Sequence, residues 1–136
     1  MKYKIKHLGI AVADIEPALS FYQDAFGLFL ISGPFDDPIQ RVRVCFVGDK
    51  SSRETTLELI SPLSNDSPIA GFLSKGIGAY HICYEVEDIE LALSDLRSRG
   101  CIVVSSPVKA VAYEGRSIAW CYTPTNHLVE LLKTNK

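Results

Sequence analysis

The chain has 136 residues, 47% hydrophobic and 22% charged, with a formal net charge of −2. That length suits one domain with its own core, and the nearly balanced charge gives no general attraction to nucleic acid or a membrane surface. No apolar run approaches the roughly 18 residues of a membrane span, and Met-Lys-Tyr-Lys-Ile-Lys leads into no signal-type apolar segment, so a cytoplasmic protein is expected.

Residues 5–12 alternate as a strand does, with Leu8, Ile10 and Val12 on one face and His7, Gly9 and Ala11 on the other. Asp14 reads as an N-cap; Ile15, Ala18, Leu19, Tyr22 and Phe26 follow at helical spacing, and Gly27 closes the helix. Strands are predicted over 28–33, 41–47 and 55–60, separated by turn signals at Gly33-Pro34, Asp36-Asp37-Pro38 and Gly48-Asp49-Lys50. Residues 61–77 form a connection that is partly a short helix. The same order then recurs. A strand over 79–86 precedes a helix capped by Asp88, which carries Ile89, Ala92, Leu93 and Leu96 and ends near Gly100; strands over 102–108, 116–122 and 127–132 complete the chain.

The recurrence is visible residue by residue. His-Leu-Gly-Ile-Ala-Val-Ala-Asp-Ile-Glu at 7–16 returns as His-Ile-Cys-Tyr-Glu-Val-Glu-Asp-Ile-Glu at 81–90, a register of 81 − 7 = 74. Thr-Leu-Glu-Leu-Ile at 56–60 returns as Leu-Val-Glu-Leu-Leu at 128–132, a register of 128 − 56 = 72. The fold expected is α+β, two tandem βαβββ modules (1–60 and 78–136) within a single domain spanning 1–136.

Each module opens on a histidine and closes on a glutamate, and both lie on the strand face turned away from the helix. A carboxylate set into so apolar a strand is costly to bury alone, and a cation removes that cost. His7, Glu58, His81 and Glu130 are therefore the expected ligands of one divalent ion shared at a pseudo-twofold axis. Two imidazoles and two carboxylates suit cobalt, nickel, manganese, zinc or iron(II), with positions left open for water or substrate. His127 has no counterpart in the first half and reads as a surface or supporting residue. The cysteines, Cys45, Cys83, Cys101 and Cys121, form no C-x-x-C pair and read as small buried hydrophobes. Asp36 and Asp37 read as turn residues or a second acid/base. Arg41 and Arg43 alternate along a predicted strand, and Lys109 and Arg116 flank the last hairpin; these four are the candidate anion clamp for a phosphate-bearing substrate.

These residues closely resemble the vicinal oxygen chelate superfamily, which includes glyoxalases, extradiol dioxygenases and bleomycin-resistance proteins. Within it, the chain looks most like the methylmalonyl-CoA epimerase family, through His-Leu-Gly-Ile-Ala-Val at 7–12, Leu-Glu-Leu-Ile-Ser-Pro at 57–62, Ser-Pro-Ile-Ala-Gly-Phe-Leu at 67–73 and Gly-Ala-Tyr-His-Ile-Cys-Tyr-Glu-Val-Glu-Asp-Ile at 78–89. The resemblance implies eight strands curled into an open cup around one metal, with the ligand positions on His7, Glu58, His81 and Glu130. It also implies a homodimer.

There are two departures. Epimerases commonly carry Gln where Glu58 stands, whereas glyoxalases carry Glu. Their loop often supplies a base near Glu-Gln-Gly-Val, where this chain keeps Gln40 between Ile39 and Arg41. The chemistry expected is proton transfer next to a carbonyl through an enolate, with racemisation at C2 of an acyl-CoA thioester. Glu130 is the expected base and Asp37 the second. A glyoxalase-type lactoylglutathione lyase acting on a glutathione thioester and a non-catalytic drug-binding protein of the bleomycin-resistance type are the alternatives.

Overall fold

Backbone periodicity and helix ends account for most of the architecture in the computed structural model, which describes residues 2–51 and 54–135. The outermost residues of the two expected modules, Met1 and Lys136, lie outside the described residues. Among the described residues there are nine strands and three α-helices, a mixed α+β composition. They divide into two compact units, one running from His7 to Tyr80 and the other from His81 onward together with the residues before His7.

In the first unit, the part of β1 (Lys4–Ala11) from His7 onward leads into α1 (Ile15–Phe26), then β2 (Phe29–Asp37), β3 (Val42–Gly48), β4 (Thr56–Pro62) and α2 (Pro68–Ser74). The strand order is β2-β3-β4-β1, with β1 parallel to β4 and the other pairs antiparallel. Helix α1 presents Ile15, Ala18, Leu19 and Tyr22 to Cys45, Val47, Leu57 and Leu59. It ends because Gly27 adopts φ 67°, a left-handed cap open to glycine at no steric cost.

One sequence expectation needs correction here. Gly33-Pro34 does not end β2; the strand continues through a bulge to Asp37, with register shifts between Leu30 and Phe35. Gly33 permits this. Its φ is 95°, and a Cβ there would meet the Val44 carbonyl at 2.9 Å, so the two backbones approach as only glycine allows.

In the second unit, β5 (Ala79–Val86) leads into α3 (Ile89–Ser98), then β6 (Ile102–Val103), β7 (Val108–Ala110), a single 3-10 turn, β8 (Arg116–Tyr122) and β9 (Leu128–Lys133). The order is β5-β9-β8-β6, with β7 also pairing β8 and β5 parallel to β9. Here Asp88 caps α3 by accepting from the Leu91 N–H at 3.0 Å, whereas Asp14 occupies the equivalent cap position of α1 without a side-chain bond. Ile89, Ala92 and Leu93 pack on Ala119, Cys121, Val129 and Leu131.

The single strand expected over 102–108 is two strands, making nine rather than eight. The Trp120 N–H donates to the Ser105 side chain at 3.1 Å instead of to a main-chain carbonyl, and Pro107 has no N–H to give.

Candidate functional site

Strand register sorts every candidate residue by face, because side chains alternate along a strand and directly paired residues share a side. In the first unit Leu57 and Leu59 face α1, so Glu58 faces the other way, together with Phe46, its Cα partner on β3. His7 pairs with Thr56 on that same face. The His7 Nε2 and Glu58 Oε1 are 3.1 Å apart, with the two residues 0% and 7% exposed. The Phe46 ring lies 5.6 Å from the imidazole, centroid to centroid.

The second unit repeats this geometry. Val129 and Leu131 face α3; Glu130 points away from it, opposite Trp120 on β8. His81 pairs with Leu128 on that face, and its Nε2 lies 3.3 Å from Glu130 Oε1. Trp120 meets the His81 ring edge-on at 4.8 Å. Each unit thus carries a buried imidazole, a buried carboxylate and an aromatic backing ring at equivalent places. His7, Glu58, His81 and Glu130 each offer one donor atom of metal-ligand type. In the sequence Trp120, alternating with Cys121, reads only as cavity wall or core and Phe46 carries no signal of its own, although the two stand one register apart (120 − 46 = 74).

The two aspartates of β2 part company. Asp37 pairs with Val42 and shares the face of Val44, Phe46 and Glu58. It is buried, and its Oδ1 accepts the N–H groups of Ile39 and Gln40, both at 3.0 Å, so one oxygen organises the turn. Asp36 pairs with Arg43 on the helix side.

The basic residues are rearranged relative to expectation. Arg41 is not on the strand: it sits in the turn at φ 58°, bonded to Asp66 at 3.3 Å, and so shares no strand face with Arg43. Arg43 shares its face with Cys45 and Val47, which pack on α1, and bridges Glu16 at 2.7 Å and Asp36 at 3.1 Å. Lys109 is exposed and pairs with Ser117, on the same side as Ala119 and Cys121, toward α3. Arg116 alone shares a face with a His–Glu pair. Its guanidinium bonds Glu85 and the Lys133 carbonyl (2.7 Å for the latter) and lies 5.5 Å from the Tyr113 ring centre.

His127 is exposed, with Nδ1 3.2 Å from the Thr125 hydroxyl, in keeping with a surface role. Among the described residues no disulfide forms. Burial pushes the Cys45 and Cys121 thiols up to about 11 each.

The family model for the glyoxalase/bleomycin resistance protein/dioxygenase superfamily matches residues 6–120. The chain belongs to this superfamily. Members that it resembles include the ethylmalonyl-CoA/methylmalonyl-CoA epimerase of Cereibacter sphaeroides, 36% identical over 88% of this chain and 87% of that protein. It also resembles the mitochondrial methylmalonyl-CoA epimerase of Homo sapiens, 39% identical over 81% of this chain; the match spans only 61% of the human protein. Among solved structures, methylmalonyl-CoA epimerase from Mycobacterium tuberculosis superimposes with a TM-score of 0.84 at 28% identity, covering 97% of this chain and 88% of the other. For this superfamily member, as in those relatives, epimerase-like chemistry is the activity that the likeness supports. No helix among the described residues is long and apolar enough to cross a membrane.

Proposed function

We propose that this chain catalyses proton transfer at C2 of a 2-carboxyacyl-CoA thioester, interconverting its epimers as a methylmalonyl-CoA epimerase does. The observation that carries this reading is the equivalent burial of one His–Glu pair in each unit. An ionised carboxylate left 7% or 5% exposed in an apolar strand needs a compensating charge, and neutral imidazole with carboxylate is the donor chemistry of a divalent ion. These residues fit such an ion; His7, Glu58, His81 and Glu130 would hold it. When bound, it would supply Lewis-acid stabilisation of the charge that develops on the carbonyl oxygen.

Glu130 takes the C2 proton in this scheme, its carboxylate held by β9 beside His81 and screened from water. Asp37 is the proposed group on the opposite face of C2. It is the buried carboxylate of the 36–42 segment on the side of Glu58, whereas Ile39 occupies the place of the epimerases' Glu-Gln-Gly-Val base. Arg116 is the basic residue retained for substrate contact, and the protein is proposed to work in the cytoplasm as a homodimer, which light scattering would check.

Deuterium wash-in tests the scheme. Wild-type protein should introduce solvent deuterium at C2 of methylmalonyl-CoA and convert one epimer to the other; Glu130→Gln should abolish both. Asp37→Asn should block conversion while allowing exchange without inversion. Normal conversion by Asp37→Asn would reduce Asp37 to its turn role. One observation favours a second reading, a lactoylglutathione-lyase type reaction: Glu58 stands where epimerases commonly carry Gln. Turnover of a hemithioacetal without exchange into methylmalonyl-CoA would establish that reading instead. Binding of a drug-like ligand with no turnover of either substrate would point to the non-catalytic alternative.

A further inference from the structure

The two His–Glu pairs share their design down to the ring behind each imidazole, but one ring is a purely hydrocarbon phenyl and the other an indole that carries an N–H donor. Phe46 backs His7 in the first unit and Trp120 backs His81 in the second. Trp120 is held rigidly: its N–H donates to Ser105 Oγ at 3.1 Å, and its carbonyl accepts from Val104 at 3.0 Å. It stands opposite Glu130 in the ladder and in ring contact with His81, so it touches the surroundings of both members of the pair. Its indole Nε1–H is shielded from solvent and has no hydrogen-bond partner among the described residues.

A buried indole N–H ordinarily finds an acceptor, and leaving it unmatched is unfavourable. Phenylalanine at position 46 shows that backing an imidazole needs only the ring. The nitrogen is therefore an addition, made on one side of an otherwise symmetric pair. An ion held by matched ligands has no use for that asymmetry, whereas a substrate with chemically different ends does. The group is a donor only, so its partner must be an acceptor, and beside a site for proton abstraction the strongest acceptor is an anionic oxygen.

We infer that Trp120 Nε1–H donates a hydrogen bond to the free carboxylate of the bound substrate and so selects 2-carboxyacyl thioesters over plain acyl thioesters. This inference rests on the epimerase reading above.

Trp120 is the sole tryptophan of the chain, so one indole 15N–1H resonance reports on it directly. In zinc-loaded wild-type protein, malonyl-CoA should move that resonance downfield, while propionyl-CoA, which lacks the carboxylate, should not. Trp120→Phe, which installs the first unit's residue in the second, should bind metal and melt as wild type does. Its kcat/KM for methylmalonyl-CoA should fall about 10- to 100-fold, the value of one hydrogen bond to a charged group. A resonance unmoved at saturating malonyl-CoA, or unchanged kcat/KM in Trp120→Phe, overturns the inference and leaves the epimerase reading intact. Should the variant misfold, the wild-type resonance decides alone. Wild-type protein that neither turns over methylmalonyl-CoA nor binds malonyl-CoA would instead remove the epimerase reading, and this inference with it.

Discussion

Replacing His7 or His81 by alanine tests whether the two buried pairs hold one ion or act separately. Ligand binding stabilises a fold by RT ln(1 + [L]/Kd), about 4.1 kcal/mol at a metal concentration near 1,000 Kd. At about 2.1 cal/mol/K per residue, the unfolding entropy of 136 residues is about 0.29 kcal/mol/K, so saturating metal should raise Tm by about 14 °C. Losing one of four ligands should weaken affinity by at least about 100-fold, by comparison with the 10–100-fold loss typical of supporting residues alone. At the same metal concentration the residual stabilisation is then about 1.4 kcal/mol and the rise about 5 °C. The assay is a thermal melt with and without zinc, paired with elemental analysis. Both variants should lose the larger part of the shift, and wild type should hold one ion per chain. Two ions per wild-type chain, with each variant losing one, would refute the shared site; a full shift in either variant would refute ligation by that histidine.

Asp88→Ala should cost about 1 kcal/mol in urea unfolding, whereas Asp14→Ala, which loses no side-chain cap bond, should cost clearly less; equal losses would contradict the difference between the caps. With their thiols pushed up to about 11, Cys45 and Cys121 should resist Ellman's reagent at pH 8 in the native protein and react on denaturation. Prompt native labelling of either cysteine by peptide mapping would show that the burial is wrong. Arg43→Ala should leave KM for a CoA thioester unchanged, because Arg43 lies on the strand face of Cys45 and Val47, turned toward α1 and away from Glu58. A KM raised for the CoA thioester but not for its pantetheine analogue would restore Arg43 as a phosphate contact.

The repeat, the helix faces and the outward-turned His and Glu of each module were legible in the sequence because each is a local matter of period and spacing. A strand flips its side chains every residue and a helix every few, so Leu57 and Leu59 against α1 already imply that Glu58 faces away. That His7, Glu58, His81 and Glu130 each offer a donor atom of metal-ligand type also followed from residue types alone. What needed the tertiary structure were the facts that depend on partners distant in sequence. Arg41 and Arg43 look like neighbours on one strand, yet a left-handed turn residue removes the first, and Glu16, 27 positions away in α1, claims the second. Asp36 and Asp37 are adjacent and chemically alike, and only the ladder with β3 assigns them to opposite faces. The break between β6 and β7 required a serine hydroxyl to take a main-chain acceptor's place, a substitution that no propensity encodes. The backing of each imidazole by Phe46 or Trp120 came from antiparallel pairing, because which residue stands behind a histidine is decided by strand register across the sheet and not by order along the chain.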